Sequence, residues 1–222
     1  MRVAVLFSGG KDSTYSLKWA LDEGHEVVCL VTVVSERTDS YMYQVHGIDL
    51  APYIAEAVGI PQVVVETTGE KEEELLPLRE ALGELEIDGV VSGAIRSTYQ
   101  RTRIDLICEQ LGLESFSPLW HTGMDRIDEM IDDGYEIVIV AVASMGLGPE
   151  WIGRTLEIPE LEQLQALERR YQINPDGEGG EFETSVLFGP GYSKRIVITE
   201  SETVWERDSG HLLIKKVELQ EP

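Results

Sequence analysis

The sequence predicts an α/β fold: a parallel, five-stranded, doubly wound sheet followed by a smaller α+β carboxy-terminal domain. Three observations carry this. Short apolar runs alternate with amphipathic stretches through residues 1–143, the pattern of βαβ units whose strands are covered on both faces. A glycine-rich turn, Ser8-Gly9-Gly10-Lys11-Asp12-Ser13, follows the first run, on the rim where such sheets bind ligands. After residue 143 the rhythm changes to shorter runs separated by turn residues.

Residues 3–7 form a β-branched run that breaks at the glycine turn. Residues 13–23 have helical spacing, with Tyr15, Leu17, Trp19, Ala20 and Leu21 on a broad apolar surface, and Gly24 ends them. Residues 26–34 are a near-continuous apolar strand. Residues 49–58 read as a helix, and Gly59-Ile60-Pro61 turns into a strand over 62–66. A Glu-rich helix over 70–85 precedes a short strand that opens into a second glycine turn at Gly93-Ala94, on the same rim. Helices over 101–111 and 124–132 lead to 135–142, read as the last strand of the parallel sheet. Residues 144–149 look like a linker, which places the domains at 1–143 and 144–222. Beyond it come a helix over 159–170, a glycine-rich acidic loop over 174–180, and strands over 182–188, 195–199 and 212–219.

Eighteen Lys and Arg against 41 Asp and Glu give the 222 residues a net charge of −23. That balance argues against a nucleic-acid partner, whose phosphates are bound by displacing counterions with Lys and Arg. It leaves room for one small anion bound locally by backbone N–H groups. No stretch approaches the ~20 apolar residues of a membrane span, and the opening run is too soon charged for a secretory signal. The chain reads as cytoplasmic, and an assembly of identical copies is compatible with it. Cys29 and Cys108, far apart in apolar surroundings, read as buried hydrophobes.

The first glycine turn carries the chemistry. Its paired glycines let several N–H groups face one point, and the helix that follows adds its positive end. Lys11 supplies a point charge, Asp12 is suited to Mg²⁺, and Ser8 and Ser13 donate hydroxyl hydrogen bonds. The spacing is not that of a Walker A loop. The string resembles the PP-loop of the ATP pyrophosphatase superfamily. That resemblance implies an adenine nucleotide α-hydrolase type of fold and ATP cleaved between its α and β phosphates, with AMP passed to an acceptor.

Four further clusters place polar residues where a core does not need them. They are the segment 39–47 with Tyr41 and His46, residues 93–103, the Ser117-Pro118-Leu119-Trp120-His121 string, and residues 178–184. Each also has a plain reading: Tyr41 half-buried in the core, His46 a capping or solvated histidine, Trp120 in the core, and 178–184 a turn into an edge strand. Arg101 and Arg103 near a helix start oppose its dipole and so suggest a bound anion.

Together these strings resemble the diphthine–ammonia ligases: Ser40-Tyr41-Met42 with His46, Gly93 to Arg103 with Ser97, Tyr99 and Gln100, Pro118-Leu119-Trp120, the segment 148–154, and Glu178-Gly179-Gly180-Glu181-Phe182-Glu183-Thr184. The resemblance implies amidation of the diphthine carboxylate on elongation factor 2, with ATP, Mg²⁺ and ammonium, through an acyl-adenylate. It assigns pyrophosphate stabilisation to Lys11, Asp12 and the turn's amides, and a phosphate or carboxylate clamp to Arg103. The trimethylammonium group of diphthine would go to Tyr41, Tyr99, Trp120 and the glutamates Glu178, Glu181 and Glu183, one of which could take a proton from ammonium. A tRNA thiolase or lysidine synthetase would share the turn but needs a cationic surface; a nucleotide sensor would share it without turnover.

Overall fold

In the computed structural model, residues 1–35, 44, 46–68 and 75–222 are described. Strands β1 (Arg2–Leu6), β2 (Glu26–Ser35), β3 (Gln62–Thr67), β4 (Gly89–Val91) and β5 (Glu114–Phe116) form one parallel sheet in the order β3-β2-β1-β4-β5. Helices α1 (Lys11–Asp22) and α2 (Ala51–Val58) cover one face; α3 (Leu75–Gly83) and α4 (Thr98–Leu111) cover the other. Strand alternation makes this division. Val3 and Val5 of β1 point into the core shared with Leu17 and Ile54, while Ala4 between them joins Leu78, Leu82 and Ile104. The doubly wound sheet is therefore as the apolar rhythm predicts.

One strand is not where the sequence puts it. The run over 135–142 becomes β6 (Glu136–Val142), which lies in a separate antiparallel sheet of order β7-β6-β9-β8 with β7 (Phe182–Phe188), β8 (Arg195–Glu206) and β9 (Ser209–Gln220). The fifth parallel strand is instead β5, whose three residues are too few to show a period. Strand β6 imitates a parallel strand because it too is buried on both faces. Ile137, Ile139 and Val142 belong to a core containing Leu17 and Ile54 of the first unit. The same core contains Leu161 and Leu164 of α6 (Ile158–Tyr171).

The passage between the sheets accordingly runs through residues 117–135 and α5 (Asp125–Asp132), ahead of the boundary at 143 that the rhythm suggests. Residues 144–149, expected as a linker, lie within the second unit, where Leu147 and Trp151 are buried in its core. No helix among the described residues is long and apolar enough to cross a membrane.

Backbone bonds stitch the two units together at the first glycine turn and at α2. The Val186 N–H of β7 donates to Gly9 O (2.9 Å), and the Ser193 N–H donates to Ala57 O (2.7 Å). Gly47 (φ +74°) lies against Val140 and Ser185 so closely that a Cβ would stand 2.6 Å from the serine Oγ. Both cysteines are buried as expected, and burial pushes the Cys108 thiol up to about 11.

Because one core spans both sheets, they should unfold together. Ile139→Ala removes a fully buried side chain from its centre and should cost about 2–5 kcal/mol. Urea unfolding followed by circular dichroism should show one transition at a lower midpoint; two separated transitions would contradict the shared core.

Candidate active site

The turn after β1 is shaped by close contacts on both glycines. Gly9 adopts φ +82°, and a Cβ there would lie 2.6 Å from Ile54 Cδ1. Gly10, the N-cap of α1, leaves no room either: its Cβ would stand 2.7 Å from Gln44 Oε1 and 3.1 Å from Thr184 O. Opposite, the β4 turn crosses the first turn of α1, and a Cβ on Gly93 would come within 3.1 Å of the Asp12 carbonyl carbon. Glycine at these positions lets three backbones converge on one point.

Hydroxyl groups occupy the turn's amides. The Gly10 N–H donates to Ser8 Oγ (3.3 Å), the Ser8 N–H to Ser13 Oγ (3.3 Å), and the Lys11 N–H to Thr184 Oγ1 (3.1 Å). These are long, neutral hydrogen bonds at a helix N-terminus, which anionic oxygens replace with stronger, charge-assisted ones. Ser8 Oγ itself donates to Gln44 Oε1 (2.8 Å), and the Gln44 amide donates to His46 O and Thr184 O.

The charges behind the turn form a chain. Lys11, only 4% exposed, places its Nζ 2.7 Å from Asp12 Oδ2. Asp12 Oδ1 accepts from Arg126 Nη2 (3.1 Å) and Nε (3.4 Å). Arg126 projects from α5, also donates to Gly123 O, and lies 3.6 Å from the buried Asp176. Gln44 and Thr184 lie in the singled-out segments 39–47 and 178–184 without being named as site residues, and Arg126 and Asp176 were not anticipated as site residues. Arg126 left a trace in the sequence: it stands four residues before Met130 on the buried stripe of its helix, an odd place for a cation.

A cavity of about 510 Å³ opens over this chain, within the 300–1,000 Å³ range of about one small-molecule site. Leu6, Phe7, Val31, Val33 and Ile104 make part of it apolar. Of the residues singled out in the sequence, Ser8, Gly10, Lys11, Asp12 and Ser13 line it from the first turn. Gly93, Ala94, Ser97 and Gln100 line it from the second, and Glu178, Gly180 and Glu183 from the second unit. Ser97 also caps α4, accepting the Gln100 N–H (3.3 Å).

Others stand outside the cavity lining. Gly9 packs behind the turn on Ile54. Glu181 turns both oxygens onto its own loop, accepting the N–H groups of Asn174 and Gly179 (2.7 Å each). Arg103 lies over Tyr99, its guanidinium carbon 3.3 Å from the ring centroid, and donates to Tyr99 O. Trp120 carries the Arg101 guanidinium at 4.4 Å. Two of the three rings expected to meet a quaternary cation thus already face an arginine. His46 stacks on His211 (4.5 Å, 16°), and burial together with that neighbour lowers its pKa. Its backbone N–H donates to Glu183 Oε2 (2.8 Å). Tyr41 lies outside the described residues.

Among the described residues no group of three or more His, Cys, Asp or Glu side chains is gathered to hold a metal. Three carboxylates do line the cavity, Asp12, Glu178 and Glu183. Burial first, and then the charge of Asp12, push the Glu178 carboxyl above its ordinary value, although it accepts the Arg96 N–H (3.1 Å).

A raised carboxyl pKa favours the neutral form in the folded protein, so its contribution is present at low pH and lost as pH rises through the raised value. Glu178→Gln, neutral throughout, should therefore raise the thermal midpoint at about pH 7 and not at about pH 4, where the wild-type carboxyl is already protonated. Thermal denaturation at the two pH values checks this; an equal gain at both would contradict it.

Two family descriptions match the chain in order: diphthamide synthase N-terminal domain over residues 1–115 and diphthamide synthase C-terminal domain over 123–219. Similar relatives are named diphthine–ammonia ligase. The one from Rattus norvegicus is 38% identical over 228 residues, covering 92% of this chain and 85% of the relative. The Homo sapiens protein is 36% identical with the same coverage. The Schizosaccharomyces pombe protein is 36% identical over 98% of this chain, which spans 39% of that longer relative. Among solved structures, a predicted subunit of tRNA methyltransferase from Methanocaldococcus jannaschii aligns over 86% of this chain and 98% of its own. Its TM-score is 0.46 and its identity 17%, too distant to bear on function. Matched by both domain descriptions and by relatives over nine-tenths of its length, the chain belongs to the diphthine–ammonia ligase family.

Proposed function

We propose that this protein amidates the carboxylate of diphthine on elongation factor 2 with ammonia, consuming ATP and releasing diphthamide, AMP and pyrophosphate. The observation that carries this is the glycine turn. Its amides and Lys11 face a cavity closed by the acidic loop of the second unit, so one space holds both an anion cradle and carboxylates for a cationic substrate.

The apolar part of the cavity, with Val31, Val33 and Ile104, takes the adenine, and the phosphates lie over the turn. A diphthine carboxylate oxygen attacks the α-phosphorus, the bond to the β-phosphate bridge breaks, and pyrophosphate leaves. The product is an acyl-adenylate. Lys11 and the turn's amides stabilise the charge that gathers on pyrophosphate, the preorganised electrostatic work that dominates such reactions. Ammonia then attacks the acyl carbon, the bond to AMP breaks, and the new amide nitrogen sheds a proton to solvent water. Of the carboxyl groups lining the cavity, Glu178 is set by its raised pKa to accept a proton from incoming ammonium. Ser97 and Gln100 offer hydrogen bonds to the acyl group.

Asp12 fits a magnesium ion: it is a hard oxygen donor in the first turn of α1, lining the cavity beside the amides that would hold the phosphates. A magnesium ion held there would supply charge neutralisation for the phosphates. With Tyr99 and Trp120 under arginines, the trimethylammonium group falls to the carboxylate of Glu183. The charge of −23 draws in a basic protein surface, and amidation should slow as salt screens it.

Incubation with ATP, ammonium and diphthine-bearing elongation factor 2 should yield AMP and pyrophosphate only when the factor is present. Lys11→Ala should lower that rate by a factor of about 100 or more. ATP bound but never cleaved, with the factor supplied, would leave a nucleotide sensor in place of a ligase.

A further inference from the structure

Asp176 is a buried carboxylate: its side chain is 2% exposed, and among the described residues neither oxygen has a hydrogen-bond partner. Burying a carboxylate in this way is costly unless a cation answers it. Two guanidinium groups stand just beyond bonding distance, Arg126 at 3.6 Å and the more exposed Arg96 at 3.9 Å. Arg126 is itself committed to Asp12 through Nη2 and Nε. The buried arginine therefore lies between two carboxylates, bonded to one and facing the other.

We propose that Asp176 is the second seat of Arg126, a positioning residue that receives the guanidinium when Asp12 turns to a cation arriving with the nucleotide. The inference rests on the reading of Asp12 given above. Without a second seat, releasing Asp12 would leave Arg126 as a buried, unpaired charge, which is strongly destabilising. With it, a small rotation of the guanidinium exchanges one ion pair for another and the interior stays neutral.

The exchange also moves the cavity wall. Asp176 sits one residue before Gly177, in the loop whose Gly177, Glu178, Gly179 and Gly180 line the cavity. Glu181 clasps that loop on both sides of Asp176, through the N–H groups of Asn174 and Gly179. A pull on Asp176 is thus shared by the whole segment 174–180. A second cavity of about 300 Å³, lined in part by Arg96, Met124 and Asn174, adjoins Asp176 and leaves the segment room to shift. Cation binding at Asp12 and closure of the acidic loop are then one linked equilibrium, in which each favours the other.

The test is the binding of AMPPNP measured by calorimetry, with Mg²⁺ and with EDTA. In the wild type Mg²⁺ should tighten binding; in Asp176→Asn that gain should shrink by about tenfold, with the metal-free dissociation constant unchanged to within about twofold. Asp176→Glu, which keeps the charge, should retain most of the gain. Hydrogen exchange should show residues 174–180 protected by Mg²⁺-AMPPNP in the wild type and not in Asp176→Asn. A full Mg²⁺ gain in Asp176→Asn, or equal weakening of metal-free and metal-loaded binding, would overturn the proposal. If the Asn variant does not fold, wild-type exchange decides: equal protection of 174–180 by AMPPNP with and without Mg²⁺ overturns it. A wild type that binds no AMPPNP at all overturns the nucleotide reading itself, and so is told apart from failure of Asp176 alone.

Discussion

Two buried cations, Lys11 and Arg126, meet on one carboxylate, Asp12, and the site is arranged around keeping that cluster neutral. Positive charge is what a cradle for phosphate requires, yet a cation taken out of water needs an answering charge while no ligand is present. Asp12 provides it from the first turn of α1, where a carboxylate also suits the positive end of the helix. In the proposed reaction the same residue would also take the divalent cation. Chemistry and stability thus compete for one side chain, and Asp176 and Glu178 stand close by to absorb the change.

That arrangement depends on the second sheet. Strand β7 lies across the glycine turn, donating to Gly9 O and presenting Thr184 to the Lys11 amide, while its loop brings the acidic residues over the cavity. The apolar core that runs from α1 and α2 through β6 to α6 holds the two sheets in register. A parallel sheet by itself would leave the turn open to water, where its electrostatic pull on an anion is weak. Closing it with a second unit lowers the local dielectric and supplies the carboxylates in one step.

The strongly acidic surface and the cationic interior of the site do not conflict. Surface carboxylates are screened within about 10 Å at moderate salt, whereas the backbone amides and Lys11 act at contact. The outer charge sets which macromolecules approach, and the inner charge sets which group is held once they arrive.

Local chemistry could be read along the chain: the glycine turn, its lysine and aspartate, and the rise and fall of apolar runs that mark a doubly wound sheet. These are legible because they depend on neighbours a few residues apart, through backbone freedom at Gly9 and Gly10 and side-chain periodicity along a strand or helix. Tertiary structure alone decided which sheet β6 joins, since a run buried on both faces looks the same in either. It also decided that Glu181 serves its own loop, that Trp120 is taken by Arg101, and that Arg126 and Asp176 complete the charge chain. Those outcomes turn on groups up to 164 residues apart, as Asp12 and Asp176 are (176 − 12). A buried charge declares its purpose only through the partner that makes its burial tolerable, and that partner is chosen by the fold.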